Sequence, residues 1–174
     1  MKPAGRKLAA ERRAYWPAAR SYLKAHPYCQ VTIAKQRLNE AEVIAGNGSQ
    51  TRRVEFHGQP ARETWTIPPA TEIHHRNRRN GPRLNRQEFW MSASPSAHRW
   101  VEQNPGEARR IGLLCPINAQ PDGRMPDGTR CLTTSELLRS RAAGKDFTRF
   151  DPRYDGHVGP ETEIAGRLEL PPPP

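Results

Sequence analysis

The clearest pattern of apolar and polar positions lies near the middle of the chain. Residues 70–73 alternate as expected of a short strand, and the run ends in the adjacent histidines His74 and His75. A turn-rich, arginine-rich loop follows, and residues 88–92 predict a second short strand. The Ser-Pro pair at 94–95 is typical of a helix start. We therefore expect a strand, a loop, a second strand and a helix in succession.

Upstream of this pattern, the sequence predicts a helix and a hairpin. Residues 1–27 read as helical and basic, and residues 37–45 as a short helix that ends at a glycine. Residues 53–57 and 63–67 alternate like two strands that would pair with each other. We interpret residues 34–69 as a variable insertion ahead of the central pattern.

Downstream, the sequence predicts two further helices. Residues 105–114 have the apolar spacing of a short helix that packs on a core. Thr133 is followed three residues later by Glu136, which is typical of a capping box at a helix start. After Gly144 the chain is polar and ends in prolines. Because such a segment buries little apolar area, we expect roughly the last 30 residues to be disordered or extended.

These elements place the chain in the α+β class, with helices and short antiparallel strands. At 174 residues it is long enough for one domain with a modest core. We predict a main domain over residues 1–114, whose central motif covers residues 70–105. Residues 115–174 would form a C-terminal extension that is partly disordered.

The charge of the chain favours a nucleic-acid partner. The formal net charge is +10, and arginine carries most of the excess. Arginine binds phosphate through two parallel hydrogen bonds, which lysine cannot do. No apolar run approaches the roughly 18 residues of a membrane span, and no basic amphipathic helix with a large apolar face is present. We expect DNA as the partner, with RNA as an open alternative and no membrane.

The cysteines and the N-terminus favour an intracellular protein. The three cysteines, Cys29, Cys115 and Cys131, are odd in number and widely spaced, so they do not make a disulfide framework. The N-terminus is basic but lacks the apolar run of a signal peptide. We expect a soluble protein of a reducing cytoplasm.

The histidines of the central pattern suggest a metal site. Adjacent residues of a strand point to opposite faces, so His74 and His75 would have different roles. His98 and Glu102 are four apart on the predicted helix and share a face. Packing that face on the strand would gather His74, His98 and Glu102 around one ion. Two imidazoles and a carboxylate suit Mn²⁺, Zn²⁺, Ni²⁺ or Mg²⁺, with Mg²⁺ the poorest match to imidazole.

His75 would remain outside the metal site as a neutral imidazole. Its ordinary pKa, about 6.5, suits a group that takes a proton from water at neutral pH. The arginines expected to hold a phosphate backbone beside it are Arg76, Arg78, Arg79, Arg83 and Arg86. This combination is typical of metal-assisted hydrolysis of a phosphodiester.

The same residues carry a resemblance to a known family. The sequence IHHRNRRNGPRLN, followed by FWMSASPSAHRWVEQNP, resembles the HNH endonucleases, particularly the small phage and prophage type. The resemblance covers residues 20–33 and 70–114. It implies a ββα-metal core, in which a strand ending in paired histidines, a loop, a second strand and a helix surround one divalent ion.

The resemblance also implies a role for each residue of the motif. His74 would be the first metal ligand and His98 the second, and Glu102 would take the last ligand position. His75 would be the general base. The implied activity is that of a divalent-metal-dependent DNA endonuclease or nickase.

Two departures from the family pattern concern the catalytic site. The asparagine that orients the base histidine in the family falls at Phe89, and Asn85 in the preceding loop is an alternative that the sequence leaves open. The last ligand is usually histidine or asparagine, whereas this chain has Glu102. Carboxylate is a competent ligand, and a solvated glutamate on the helix surface is the alternative that the sequence leaves open.

A third departure concerns the structural zinc that two Cys-x-x-Cys pairs hold in relatives. The first pair corresponds to Cys29 and Thr32, and the second to Ser94 and Ala97. Three of four thiolates are missing, so we expect no four-cysteine zinc site. Cys29 would then be a small buried apolar residue.

Two other functions compete with this interpretation. A non-catalytic DNA-binding protein that kept the ββα scaffold is favoured by the departures at Phe89 and Glu102 and opposed by the retained histidines. An RNA-directed nuclease has the same sequence features. The unadorned alternative for His74 and His75 is a pair of histidines on a strand edge with no ion.

Overall fold

A computed structural model describes residues 3–79, 83–126 and 128–145 of the chain. The predicted disorder of the C-terminal residues lies outside these ranges. The described part is an α+β structure with two small antiparallel sheets, as the sequence predicts. Its elements are α1 (Pro3–Ala25), α2 (Gln30–Lys35), α3 (Glu40–Ala45), β1 (Ser49–Phe56), β2 (Gln59–Thr66), β3 (Glu72–His75), β4 (Trp90–Ala93), α4 (Pro95–Gln103), α5 (Pro105–Arg110) and α6 (Thr134–Ala142).

The predicted hairpin in the insertion is present, although its strands cover residues 49–56 and 59–66 rather than 53–57 and 63–67. Strands β1 and β2 pair antiparallel from Ser49 opposite Thr66 to Phe56 opposite Gln59. Both residues of the connecting turn, His57 and Gly58, have positive φ, at 50° and 74°. Positive φ at both positions gives the twist that a two-residue hairpin requires, and glycine accepts it without steric cost. Most residues of the two strands are exposed, so the hairpin projects from the body of the protein.

The predicted succession of strand, loop, strand and helix is also confirmed. Strands β3 and β4 pair antiparallel, with His74 opposite Met91 and His75 opposite Trp90. β4 begins at Trp90 rather than at residue 88, because residues 87–89 form a short 3-10 turn. Helix α4 follows at once, and its start is capped by Ser94, whose hydroxyl accepts a hydrogen bond from the Ala97 amide.

The two faces of the β3–β4 pair are covered by different elements. Tyr15 and Ala19 of α1 pack against Ile73 and Trp90 on one face. Met91 and Ala93 face the main core, which α2, α4 and α6 share. A two-stranded sheet is only marginally stable on its own, so this double cover is what holds β3 in place. α1 is the longest helix, with 23 residues, and no helix of the described residues has an apolar stretch that would span a bilayer.

Part of the predicted C-terminal extension belongs to the main core. Helix α6 starts at the predicted capping box, in which Thr133 and Glu136 exchange side-chain-to-backbone hydrogen bonds. Leu137 and Leu138 of this helix are buried with residues of α2 and β4. Arg141 donates a hydrogen bond of 3.1 Å from Nε to the Ala34 carbonyl. The core therefore extends past residue 114, the predicted end of the main domain.

A buried glutamine joins four elements beside the β3–β4 pair. The Gln30 side-chain oxygen accepts hydrogen bonds from the Ser92 amide at 2.8 Å and the Tyr22 hydroxyl at 2.9 Å. Its side-chain nitrogen donates to Glu40 at 2.7 Å. Gln30 is 1% exposed, so each of these groups would be costly to leave without a partner.

We expect Gln30→Leu to lower the free energy of unfolding by about 1–3 kcal/mol, because the Ser92 amide would lose its buried acceptor. Urea titration followed by circular dichroism measures this. Gln103→Leu, at an exposed position at the end of α4, is the control and should change the value by less than about 0.5 kcal/mol. Equal effects of the two substitutions would contradict the role given to Gln30.

Candidate functional site

A cleft of about 340 Å³ opens where β3 meets α4 and the start of α5. Its lining includes His74, His75, His98 and Glu102, together with Arg79 from the loop after β3. The structure thus brings the four residues of the sequence-predicted site into one cleft. The strand alternation predicted for the paired histidines is present, since His74 pairs with Met91 on the core face and His75 with Trp90 on the α1 face.

His74 and His98 face each other across this cleft. Their ring centroids are 5.3 Å apart and their planes are inclined by 70°. His74 donates a hydrogen bond of 2.8 Å from Nε2 to the Leu113 carbonyl. In the neutral imidazole this bond leaves Nδ1 as the ring nitrogen with a free lone pair. Burial lowers the pKa of His74 to about 3, so the ring is neutral at pH 7.

His98 is oriented by a carboxylate that sequence analysis missed. Its Nδ1 donates a hydrogen bond of 2.7 Å to Glu72 on β3. In the neutral imidazole this bond makes Nε2 the ring nitrogen with the free lone pair, and Nε2 lies 3.9 Å from a carboxylate oxygen of Glu102. Glu72 lies two residues before His74 and therefore on the same face of the strand. That spacing is the signal from which Glu72 could have been predicted.

His75 occupies a different environment on the α1 side. Its ring stacks on Tyr15 with centroids 5.6 Å apart and planes 29° apart, and it meets the edge of Trp90 at 5.6 Å. The residue is 8% exposed. Its Nε2 atom is buried and makes no hydrogen bond to the described residues. Burial, and then the positive charge of Arg79, lower the pKa of His75 to about 4. The ring is therefore neutral at pH 7, and it is a weaker base than the ordinary imidazole, with a pKa of about 6.5, that the sequence led us to expect.

Glu102 lies at the solvent-facing rim of the cleft. Its side chain is 70% exposed, whereas the His98 side chain is 26% exposed. Among the described residues, no three His, Cys, Asp or Glu side chains already form a cluster that could hold a metal ion. His74 is fixed by a buried hydrogen bond and His98 by a part-buried one, whereas the third predicted ligand is on a long exposed side chain.

The structure contradicts the predicted phosphate contact of Arg76. This residue is 1% exposed. Its guanidinium donates hydrogen bonds of 2.9 Å to the Gly112 carbonyl and 2.9 Å to the Leu132 carbonyl. Arg76 therefore links the end of β3 to the loops at Gly112 and Leu132. Its guanidinium is not available to a nucleic acid.

The other predicted arginines differ in their access to the cleft. Arg83 donates to the Ala119 carbonyl at 2.9 Å, and Arg86 pairs with Glu88 at 2.8 Å. Arg78 is exposed and donates to the Ile117 carbonyl at 2.9 Å. Only Arg79, of these five residues, lines the cleft. Its guanidinium lies 5.4 Å from the centre of the Tyr15 ring.

The structure also contradicts a base-orienting role for Phe89. Its ring is buried with Cys115, Ala119 and Cys131 in a separate apolar cluster. A phenyl ring has no group that can hold an imidazole by a hydrogen bond. Asn85, the other candidate, donates a hydrogen bond of 3.0 Å to the Glu11 carbonyl and so fastens its loop to α1. The His75 ring packs against Tyr15 and Trp90, and backbone hydrogen bonding at Leu84 and Ile73 opposes part of the lowering of its pKa.

The four positions that correspond to zinc cysteines in the HNH pattern meet in space. The Cys29 sulfur accepts hydrogen bonds from the Thr32 amide at 3.4 Å, the Thr32 hydroxyl at 3.2 Å and the Ser94 amide at 3.3 Å. Ser94 in turn caps α4 through the Ala97 amide. Cys29 is fully buried. It is therefore a hydrogen-bond acceptor that joins two helix starts, and not only the small apolar residue that the sequence suggests.

Comparison with protein-family models, curated proteins and solved structures finds no match to this chain. Its function is therefore inferred from the cleft and from the resemblance of its motif.

We expect Arg76→Met to lower the free energy of unfolding by about 3 kcal/mol, because a buried carbonyl at Gly112 and a part-buried one at Leu132 would lose a charged donor. Urea unfolding measures the change. Arg78→Met, at an exposed neighbouring position, serves as the control and should change the value by less than about 0.5 kcal/mol. A stable Arg76→Met protein with weakened DNA binding would restore the original assignment of Arg76 to phosphate.

Proposed function

We propose that this protein is an HNH-type endonuclease or nickase that hydrolyses phosphodiester bonds of DNA with the help of one divalent metal ion. In this proposal β3, β4 and α4 are the two strands and the helix of a ββα-metal core. The observation that carries the proposal is that His74 and His98 face each other, with ring centroids 5.3 Å apart. The cleft between them also contains His75. The meeting of Cys29, Thr32 and Ser94, at the positions of the family's zinc cysteines, supports the same scaffold.

The residues present fit a divalent metal ion. In His74 and in His98, one ring nitrogen is engaged in a hydrogen bond and the other is a potential metal ligand. Glu102 can bring a carboxylate from the rim of the cleft. Hydrogen bonding of a ligand histidine to a carboxylate, as from His98 to Glu72, is the usual support of such a site. When bound, the ion supplies Lewis-acid stabilisation of the negative charge on the phosphate.

His75 is the general base in this proposal. Its buried Nε2 has no hydrogen-bond partner among the described residues, and the neutral ring can take a proton from the attacking water. Arg79 lies at the same cleft and lowers the pKa of His75 through its charge. That charge is also suited to holding the phosphate that the water attacks.

We expect His75→Ala to reduce plasmid nicking by at least about 100-fold, because a positioned base contributes a factor of this size or more. Supercoiled plasmid is incubated with Mg²⁺, Mn²⁺, Ni²⁺ or Zn²⁺, and the nicked form is quantified on gels. The variant should still bind DNA in a gel-shift assay. His57→Ala, in the turn of the exposed hairpin, is the matched control and should cleave like the wild type.

Three results, from the nicking assay, from the gel shift and from a parallel incubation with a labelled RNA, would redirect the proposal. Equal cleavage by His75→Ala and wild type would remove His75 from its role. DNA binding without cleavage under every ion would favour the non-catalytic DNA-binding protein, which the buried Phe89 and the exposed Glu102 favour as the second candidate. Cleavage of RNA in preference to DNA would identify the substrate as RNA.

We expect Glu72→Gln to weaken binding of Mn²⁺ by about 10–100-fold, because loss of a supporting carboxylate has an effect of this size on metal affinity. Calorimetric titration of the protein with Mn²⁺ in the absence of DNA measures the dissociation constant. Glu55→Gln, on the exposed strand β1, should bind Mn²⁺ like the wild type. Unchanged affinity in Glu72→Gln would contradict its positioning role, and absence of Mn²⁺ binding in the wild type would contradict the metal site.

A further inference from the structure

Helix α1 carries an exposed basic face on the side away from the core. The sequence of Pro3–Ala25 contains six lysines and arginines and one acidic residue, Glu11. Arg13, Arg20 and Lys24 are exposed. Their spacing places them on one side of the helix, while Tyr15 and Ala19 on the other side are buried.

An exposed tryptophan borders this face. Trp16 is 63% exposed, although the indole is among the largest apolar side chains of the chain. It lies three residues after Arg13 and four before Arg20, so the three side chains are neighbours on the helix surface. An aromatic face between cations is the arrangement that binds unpaired nucleotides, in which bases stack and phosphates meet positive charge.

Ring contacts connect Trp16 with the cleft. Trp16 meets the ring of Tyr15 edge to face, with centroids 5.3 Å apart. Tyr15 in turn stacks on His75, and the guanidinium of Arg79 lies over the Tyr15 ring. The exposed indole is therefore two ring contacts from the proposed base, and Arg79 supplies a cation on the cleft side of Tyr15.

We propose that the face of α1 formed by Arg13, Trp16, Arg20 and Lys24 binds an unpaired segment of the nucleic-acid strand whose phosphodiester enters the cleft. Trp16 stacks on one base, and the three cations contact neighbouring phosphates. A duplex is a poorer occupant, because its bases are stacked on each other and present only their edges in the grooves. This inference rests on the proposed function for the identity of the ligand, but binding at α1 requires no cleavage.

The test measures binding in the presence of a chelator, so that no strand is cut. A fluorescein-labelled deoxythymidine strand of about 20 nucleotides, long enough to cover one binding site, is titrated with the full chain and followed by anisotropy. A duplex of equal length is titrated in parallel. The wild type should bind the single strand more tightly than the duplex.

The expected effects of substitution differ between the aromatic and the basic residue. Trp16→Ala should weaken single-strand binding about tenfold, the size of one base–aromatic stack, and should leave duplex binding within about twofold. Arg20→Gln should weaken both and reduce the slope of log affinity against log salt by about 0.7–0.9. Phe56→Ala, which removes another exposed aromatic side chain at the hairpin tip, is the control and should bind both probes like the wild type.

Melting temperatures of the variants show whether they are folded, and each should match the wild type because the altered side chains are exposed. Unchanged single-strand binding by Trp16→Ala would overturn the inference. So would equal losses on single strand and duplex, or a Trp16-dependent affinity for anionic phosphatidylserine vesicles that exceeds the affinity for the strand. If the plasmid is not nicked while Trp16→Ala weakens single-strand binding, the proposed function is wrong and the inference about α1 stands. If the plasmid is nicked while Trp16→Ala binds the single strand like the wild type, the inference about α1 is wrong and the proposed function stands.

Discussion

The pairing of β3 with β4 is the constraint on which the candidate site depends. Each strand has only four residues, and a sheet of this size requires cover on both faces. Helix α1 covers one face through Tyr15, and α2 and α4 cover the other. Because neighbouring strand residues point to opposite faces, the same pairing divides the two adjacent histidines between the two layers. One is turned toward His98, and the other is enclosed by aromatic rings.

Local patterns in the sequence predicted the elements of this region well. The strand, loop, strand and helix follow from alternation, turn residues and the Ser-Pro helix start, and all of these signals act over a few residues. The meeting of His74 and His98 follows from the same short elements once the strand and helix pack together. The capping box at Thr133 could also be predicted from sequence, because its two partners, Thr133 and Glu136, are three residues apart.

The features that the sequence did not reveal depend on contacts between distant parts of the chain. Arg76 lies in the same arginine-rich stretch as the exposed Arg78 and Arg79, but its guanidinium is enclosed by the loops at Gly112 and Leu132. Tyr15 lies far upstream of His75 and carries no motif that marks it as a partner. The proposed resemblance to the HNH endonucleases expects a polar residue at Phe89, and only the burial of its ring beside Cys115 and Cys131 shows that it serves packing. Burial of this kind is decided by the whole fold.

The aromatic rings around His75 restrict the orientation of its imidazole before any substrate binds. A free imidazole samples many ring orientations, and selecting one of them during catalysis would raise the activation barrier. Here Tyr15 stacks on the ring and Trp90 meets its edge. The orientational entropy of the ring is therefore lost when the chain folds, and in the proposed reaction the base would enter each turnover already aligned.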